Sequence, residues 1–336
     1  MIFLKKPSLL LLFVVSSYFV YLQLNTLFSV PSQNLLQPKS YKSNIPSPIT
    51  PIPNAQYLNK DLVSLGKLLF FDTILSKNHS VSCASCHNIH NGGVDGLIVS
   101  SGIHNQSGNI NSPTVLNSSL NFKQFWDGRA NSLEDQIDGP INSPIEMGSS
   151  WPEVINKLKK RIRYQKKFSA LYPSSGITEQ TIKHAIATYE RSLLTPDSRF
   201  DLFLKGQQDA LTAAEKEGYQ LFISYGCIAC HQGVNMGGNM FEKMGIMHDY
   251  FADRGKLTDV DLGRYRVTMK EEHKYEFKVP SLRNIALTAP YFHDGQTKTL
   301  ELAVEKMAYY QIGVSLPKNE TALIVSFLKT LTGKLH

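Results

Sequence analysis

Cysteine is scarce in this chain, with four residues in 336, and there are only two tryptophans. Charge is thin too: Asp, Glu, Lys and Arg make up 19% of residues, against 42% hydrophobic. So few cysteines over this length exclude a disulfide scaffold, because stapled mini-domains are cysteine-dense. The hydrophobic share excludes a disordered chain and is enough for a buried core spread over about two domains. The net charge is +7, from 35 basic and 28 acidic residues. No basic block exceeds Lys157-Leu-Lys-Lys-Arg-Ile-Arg163, and this run falls on a predicted amphipathic helix. It reads as a solvated face, and no nucleic-acid partner is expected. Strand patterning is sparse, confined to 264–268 and 275–279.

What is present begins with an apolar stretch at 9–24 behind Lys5 and Lys6. Residues 1–30 therefore read as an export signal or a retained membrane anchor, and both alternatives stay open. Residues 31–56 hold six of the sixteen prolines and read as an extended linker without a core-forming pattern. Folding is expected from Tyr57. Leu62, Leu65 and Leu69 share one face of a helix ending near Phe71. Ser132 with Asp135 marks a short helix start. Ser150 and Glu153 form a capping-box pattern around Pro152, opening a helix that carries Val154, Ile155, Leu158 and Ile162. Thr178 opens another, with Ile182, Ile186, Tyr189 and Leu193 inward. Thr212 and Glu215 repeat the capping box ahead of Tyr219, Leu221 and Phe222. Thr299 precedes Leu300, Val304 and Met307, and a last helix from about Asn319 carries Leu323, Ile324, Phe327, Leu328 and Leu331. Residues 88–125 are rich in Gly, Ser and Asn, a loop long enough to be functional or wrapped around something.

All four cysteines fall in two copies of one pattern, Cys83-Ala-Ser-Cys86-His87 and Cys227-Ile-Ala-Cys230-His231. C-x-x-C-H is the attachment pattern of c-type haem. The spacing lets two thiols within one turn reach both vinyl groups of a porphyrin, with the adjacent imidazole on iron. A zinc site could be assembled from the two pairs, and a thioredoxin-like pair would need a βαβ context that is absent. Gly66-Lys-Leu-Leu69-Phe70 ahead of the first motif is echoed by Gly218-Tyr-Gln-Leu221-Phe222 ahead of the second. The expected fold is mainly α: two fused cytochrome c-like haem domains, 57–200 and 201–336, with long loops and little β-structure.

The first half also reads LGKLLFFDTILSKNHSVSCASCH, GGVDG, GNINSPTVLN and FKQFWDGRANSLEDQIDGPINSPIEM. The second reads CIACH, FKVPSLRNIALTAPYFHDGQTKTLELAVEKM and IVSFLKTLTGK. In these strings, over about 57–334, the chain resembles the bacterial di-haem cytochrome c peroxidases, which share a superfamily with the MauG proteins. The resemblance implies a periplasmic enzyme carrying two haem c groups. It would reduce hydrogen peroxide with electrons from a small cytochrome c or cupredoxin. A MauG-like oxidase and a di-haem electron carrier without peroxidase activity are the alternatives. Tethering through 1–30 and a homodimer stay open.

The resemblance also implies roles. The first haem, on His87, would meet peroxide, and the second, on His231, would take in electrons. Met307 matches the second ligand of the second iron, where MauG proteins use Tyr; Met236, Met240, Met244 and Met247 are rivals by proximity. Glu146 and Gln136 match the acid–base residues of the peroxide side. Trp126 matches the aromatic between the haems. Asn111, Thr288 and Pro290 match a calcium site at the domain interface. Many relatives place a distal His where this chain has Ile103, and His104 comes one residue late. His90 is a further candidate there. His293 matches an interface His without an assigned role, and His79, His184, His248, His273 and His336 read as ordinary surface or core residues.

Overall fold

Asn59 starts the first helix by accepting from the backbone N–H groups of Asp61 and Leu62 at 3.0 and 3.1 Å. The computed structural model describes residues 48–54 and 57–335. The expected leader and most of the proline-rich linker lie outside the described residues. The helix Lys60–Phe71 buries Leu65, Leu69 and Phe70. It lies along Glu179–Arg191, which Thr178 and Thr181 open with a reciprocal capping box. Gly66 permits this approach, because a Cβ there would sit 2.0 Å from the Ala185 carbonyl oxygen.

The arrangement recurs in the second half. Ala213–Ser224, opened by the Thr212–Glu215 capping box, lies along Lys318–Lys329. A Cβ on Gly218 would sit 2.0 Å from the Leu323 oxygen. The faint sequence repeat therefore has a physical content. In each half one glycine lets a helix touch the backbone of its partner, and Phe70 or Phe222 fills the core beside it. Each helix then leads into a cysteine turn, Cys83–Cys86 or Cys227–Ala229.

The fold is mainly helical. One apolar cluster is drawn from residues between Leu65 and Leu193, and a second from Ile49 and residues between Phe200 and Leu331. A smaller third cluster, Met244, Tyr250, Phe251 and Phe277, has Trp126 and Met307 packed against it. No described helix is long and apolar enough to cross a membrane.

Four sequence expectations need correction. Within the stretch read as lacking a core-forming pattern, Ile49 and Ile52 are buried to 2% and 1% exposure. The tie is polar as well as apolar. Arg283 donates to Thr50 O at 2.9 Å, Asp201 accepts from Ile52 N at 3.2 Å, and Arg283 and Asp201 form a fully buried ion pair at 2.8 Å. Ile162 is exposed rather than inward, because the Trp151–Lys159 helix stops and a new one, Ile162–Leu171, starts after the extended Arg161. Ser150 makes no side-chain cap bond. The 264–268 run coils into a helical turn, Tyr265–Thr268, closed by Met269 N–H on Tyr265 O at 2.7 Å. The described strands are Phe241–Lys243 and Glu276–Lys278, paired antiparallel.

Candidate functional site

Both cysteine turns close the same way. The His87 amide donates to Cys83 O at 2.9 Å, and the His231 amide donates to Cys227 O at 3.0 Å. All four thiols are free. Burial pushes the Cys83 thiol up to about 12, aided by the Glu190 and Cys86 charges, and the Cys227 thiol up to about 11. Among the described residues no group of three or more His, Cys, Asp or Glu could hold a metal ion. The zinc alternative therefore has no site there.

His231 keeps Nδ1 3.2 Å from the Met236 carbonyl oxygen. With Nδ1–H donating there, Nε2 is the nitrogen left for a metal. Burial pulls His231 down to about 4, so the ring is neutral and ligand-competent. Burial lowers His87 as well, against the pull of the Gly93 and Pro113 backbone groups.

Each turn opens on its own cavity. The second, around Cys227, Cys230 and His231, holds about 530 Å³, within the range of small-molecule and cofactor sites. The first, around Cys83, Cys86 and His87, is tighter, about 170 Å³. Paired thiols, neutral imidazoles and apolar walls fit a porphyrin held covalently.

The structure brings Gln136 and Glu146 into the wall of the first cavity. Glu146 is an exposed residue, yet partial burial of its carboxyl raises its pKa, offset in part by a Ser143 hydrogen bond and the Arg129 charge. Met307, Asn111, Thr288 and Pro290 all line the second cavity. Of the rival methionines, Met244 shares that wall, whereas Met236, Met240 and Met247 do not. Asn111 directs Nδ2 at the carbonyls of Leu97 and Ile98, 2.9 and 3.2 Å away. Residues 111–114 of the long loop and Trp126 line both cavities. Trp126 is fixed by its indole N–H on Asn111 O at 2.9 Å.

The distal-histidine position departs from the pattern described above. Ile103 is buried, and its amide donates to Glu146 O at 2.8 Å. His104 is exposed, with φ +55°, and lies outside the first cavity's lining. His90 is exposed as well.

Sequence reading missed several residues. Glu190 lines the first cavity with Oε2 enclosed and unpartnered. Burial, with the Glu134 charge, pushes it up to about 8. The fully buried Asp261 accepts from His293 Nε2 at 2.7 Å, while Arg254 contacts it at 2.6 Å and bridges onward to Asp294 at 2.9 Å. This network holds the His293 ring against Phe277, with centroids 4.3 Å apart, beside Trp126. Nothing in the spacing of Arg254, Asp261, His293 and Asp294 announces the network.

A stability prediction follows. Burial alone would raise the Asp261 carboxyl, but hydrogen bonds from His293, Arg254 and Thr258 hold it well below the carboxylate range. A depressed folded pKa gives stability that is fully present above the unfolded value of about 4 and is lost as pH falls toward the folded one. Asp261→Asn is therefore expected to cost about 3–5 kcal/mol at neutral pH, the scale of a broken buried ion pair. Denaturant melts should show the gap between the two proteins constant above about pH 5 and shrinking below about pH 4. A gap that does not change with pH would mean that the lost interaction is not ionic.

Two cysteine–histidine turns, each opening on its own cavity and sharing one tryptophan wall, define a c-type cytochrome oxidoreductase. The comparisons narrow this. A family described as di-haem cytochrome c peroxidase matches residues 60–209. The chain is 47% identical to "Cytochrome c peroxidase Ccp" of Escherichia coli over 85% of its own length and 61% of that protein, so it spans less than two thirds of that relative. It is 46% identical to "Cytochrome c551 peroxidase" of Nitrosomonas europaea, covering 85% of the chain and 84% of the relative. A crystal structure of a MauG-like protein associated with microbial copper homeostasis superposes with a TM-score of 0.75 at 29% identity, over 88% of this chain and 95% of that one. The chain belongs to the di-haem cytochrome c peroxidase family, and its reaction class is that of a peroxidase.

Proposed function

We propose that this chain reduces hydrogen peroxide to water at the first site, H₂O₂ + 2 H⁺ + 2 e⁻ → 2 H₂O. Electrons would enter at the second from a small soluble cytochrome c or cupredoxin. The observation that carries the reading is the meeting of Glu146 and Gln136 with Cys83, Cys86 and His87 around one cavity. Haem c, held through Cys83 and Cys86 with His87 and through Cys227 and Cys230 with His231, supplies when bound the iron for O–O cleavage and electron storage.

The chain's own residues do the rest. The Glu146 carboxylate accepts a proton from one peroxide oxygen and returns it to the other, so that water can leave. A carboxyl that is partly desolvated yet reaches solvent suits that exchange. The Gln136 amide orients the peroxide by hydrogen bonding. Met307 is the proposed second ligand of the second site, and a thioether there raises potential, as an electron entry point needs. Trp126 is the proposed conduit, supported by its place in both walls. Asn111, with Thr288 and Pro290 carbonyls, offers the hard oxygen donors that Ca²⁺ takes. The two separate apolar clusters support two haem domains. Export to the periplasm follows from the leader pattern at 1–30. The 47% and 46% identities to named cytochrome c peroxidases, against 34% to a named MauG protein and 29% to the MauG-like structure, favour the peroxidase over the MauG-like reading.

The placement of Ile103 and His104 gives the test. The oxidised protein as isolated should carry two covalent haems by mass. It should also show a high-spin EPR signal from the first and turn over peroxide without prior reduction. A wholly low-spin resting spectrum that disappears in His104→Gly would show that His104 ligates the iron at rest. A protein with two haems and no peroxide turnover would make it an electron carrier.

A further inference from the structure

Lys278 is the least expected residue in the second cavity. It ends the strand Glu276–Lys278, and its backbone N–H donates to Trp126 O at 2.7 Å. Its side chain is buried, with 7% of the residue exposed, and it stands in the cavity wall. No hydrogen bond or ion pair reaches its ammonium among the described residues. Its neighbours in kind are matched: the buried Arg283 has Asp201, and the half-buried Arg254 has Asp261 and Asp294. Burial alone acts on Lys278, pulling it down to about 8, and no carboxylate among the described residues offsets this.

A buried ammonium without a counter-ion is strongly disfavoured, and proteins tolerate one where an anion completes the pair. The cavity that Lys278 faces is the one assigned to the second haem, and haem c carries propionate carboxylates. We propose that Lys278 is the counter-ion of a propionate of the second haem and that its charge holds this haem's reduction potential above that of the first. The inference rests on the second cavity being a haem site. Reduction adds one negative charge to the haem, so a cation in contact favours the reduced form and raises the potential. The first cavity carries no such buried cation. Its enclosed Glu190 carboxyl, pushed up to about 8 by burial, is largely protonated at neutral pH, and the Arg129 in its wall is exposed. The two walls therefore differ in the direction that sends electrons in at the second site.

The test is a spectroelectrochemical titration of the full two-haem protein, without turnover. Lys278→Met should lower the potential of the second haem by at least a tenfold shift in its redox equilibrium, about 59 mV for one electron. The first haem's potential and both iron-ligand spectra should stay as they were. Lys278→Arg should restore most of the shift. If the methionine variant does not assemble, Lys278→Gln against Lys278→Arg reads the same difference. Two attached haems with an unmoved second potential would overturn the inference. So would an altered ligand spectrum of the second haem, which would make Lys278 an iron ligand instead. A wild-type protein carrying fewer than two covalent haems by mass would instead overturn the site assignment beneath it.

Discussion

Glu146→Gln should depress peroxide turnover about 10²–10⁴-fold, the usual worth of a positioned acid–base group, while leaving both haem spectra and reduction by a small donor unchanged. Gln keeps the size and hydrogen-bonding ends of Glu but cannot carry the transferable proton. The pH profile sharpens the expectation. Burial raises the Glu146 carboxyl above its ordinary value, against the pull of Ser143 and Arg129. The group must be ionised to take the first proton. Turnover of the unmodified enzyme should therefore fall as pH drops through this raised value, above the usual carboxylate range of about 4. The Gln variant should lose that acid limb along with its rate. A loss smaller than about tenfold, 1.4 kcal/mol in the barrier, would remove Glu146 from the mechanism. Glu190, with its enclosed, unpartnered oxygen in the same wall, would then be the next carboxyl to replace.

The cofactor chemistry was legible because it is written in contiguous residues. C-x-x-C-H places two thiols and an imidazole within one turn, and no tertiary contact is needed to read it. Helices were legible where capping chemistry and a 3.6-residue apolar stripe agreed, as at Thr178 and Thr212. Long-range chemistry was not. The 48–54 segment looked like linker because its prolines outnumber its two isoleucines. Its burial depends on Arg283 and Asp201, far away in sequence and fully enclosed. Lys278 and Glu190 sit in ordinary-looking strings, and only the fold strips them of water and partners. The 264–268 run alternates like a strand, yet Gly263, at φ +55°, turns the chain and the run closes on itself as a helical turn. The haem sites thus follow from spacing, whereas the charges that tune them follow from packing.

Gly102→Ala should cost peroxide turnover about 10²-fold, although residue 102 bears no side chain and transfers no proton. The loop at 102–103 is the mount for Glu146. Ile103 N–H donates to Glu146 O at 2.8 Å, and a Cβ on Gly102 would lie 2.0 Å from Ile145 O and 2.7 Å from Glu146 Cα. These are backbone atoms, so the strain cannot be relieved by turning a flexible side chain. Real Cβ contacts essentially never fall under 3.0 Å, so the 145–146 backbone must retreat by 1 Å or so (3.0 − 2.0). A displacement of about 1 Å of a catalytic group can cost 10²-fold in rate. Gly102 is in this sense a positioning residue, and additivity tests the idea. If Gly102→Ala acts by moving Glu146, the double variant with Glu146→Gln should be no slower than Glu146→Gln alone, because a carboxylate already removed cannot be misplaced. The second haem's potential should not move, since Gly102 is absent from that cavity's wall. Fully multiplicative losses in the double variant would show instead that the 102–103 loop acts on the first site by a route independent of Glu146, such as the fit of the haem itself.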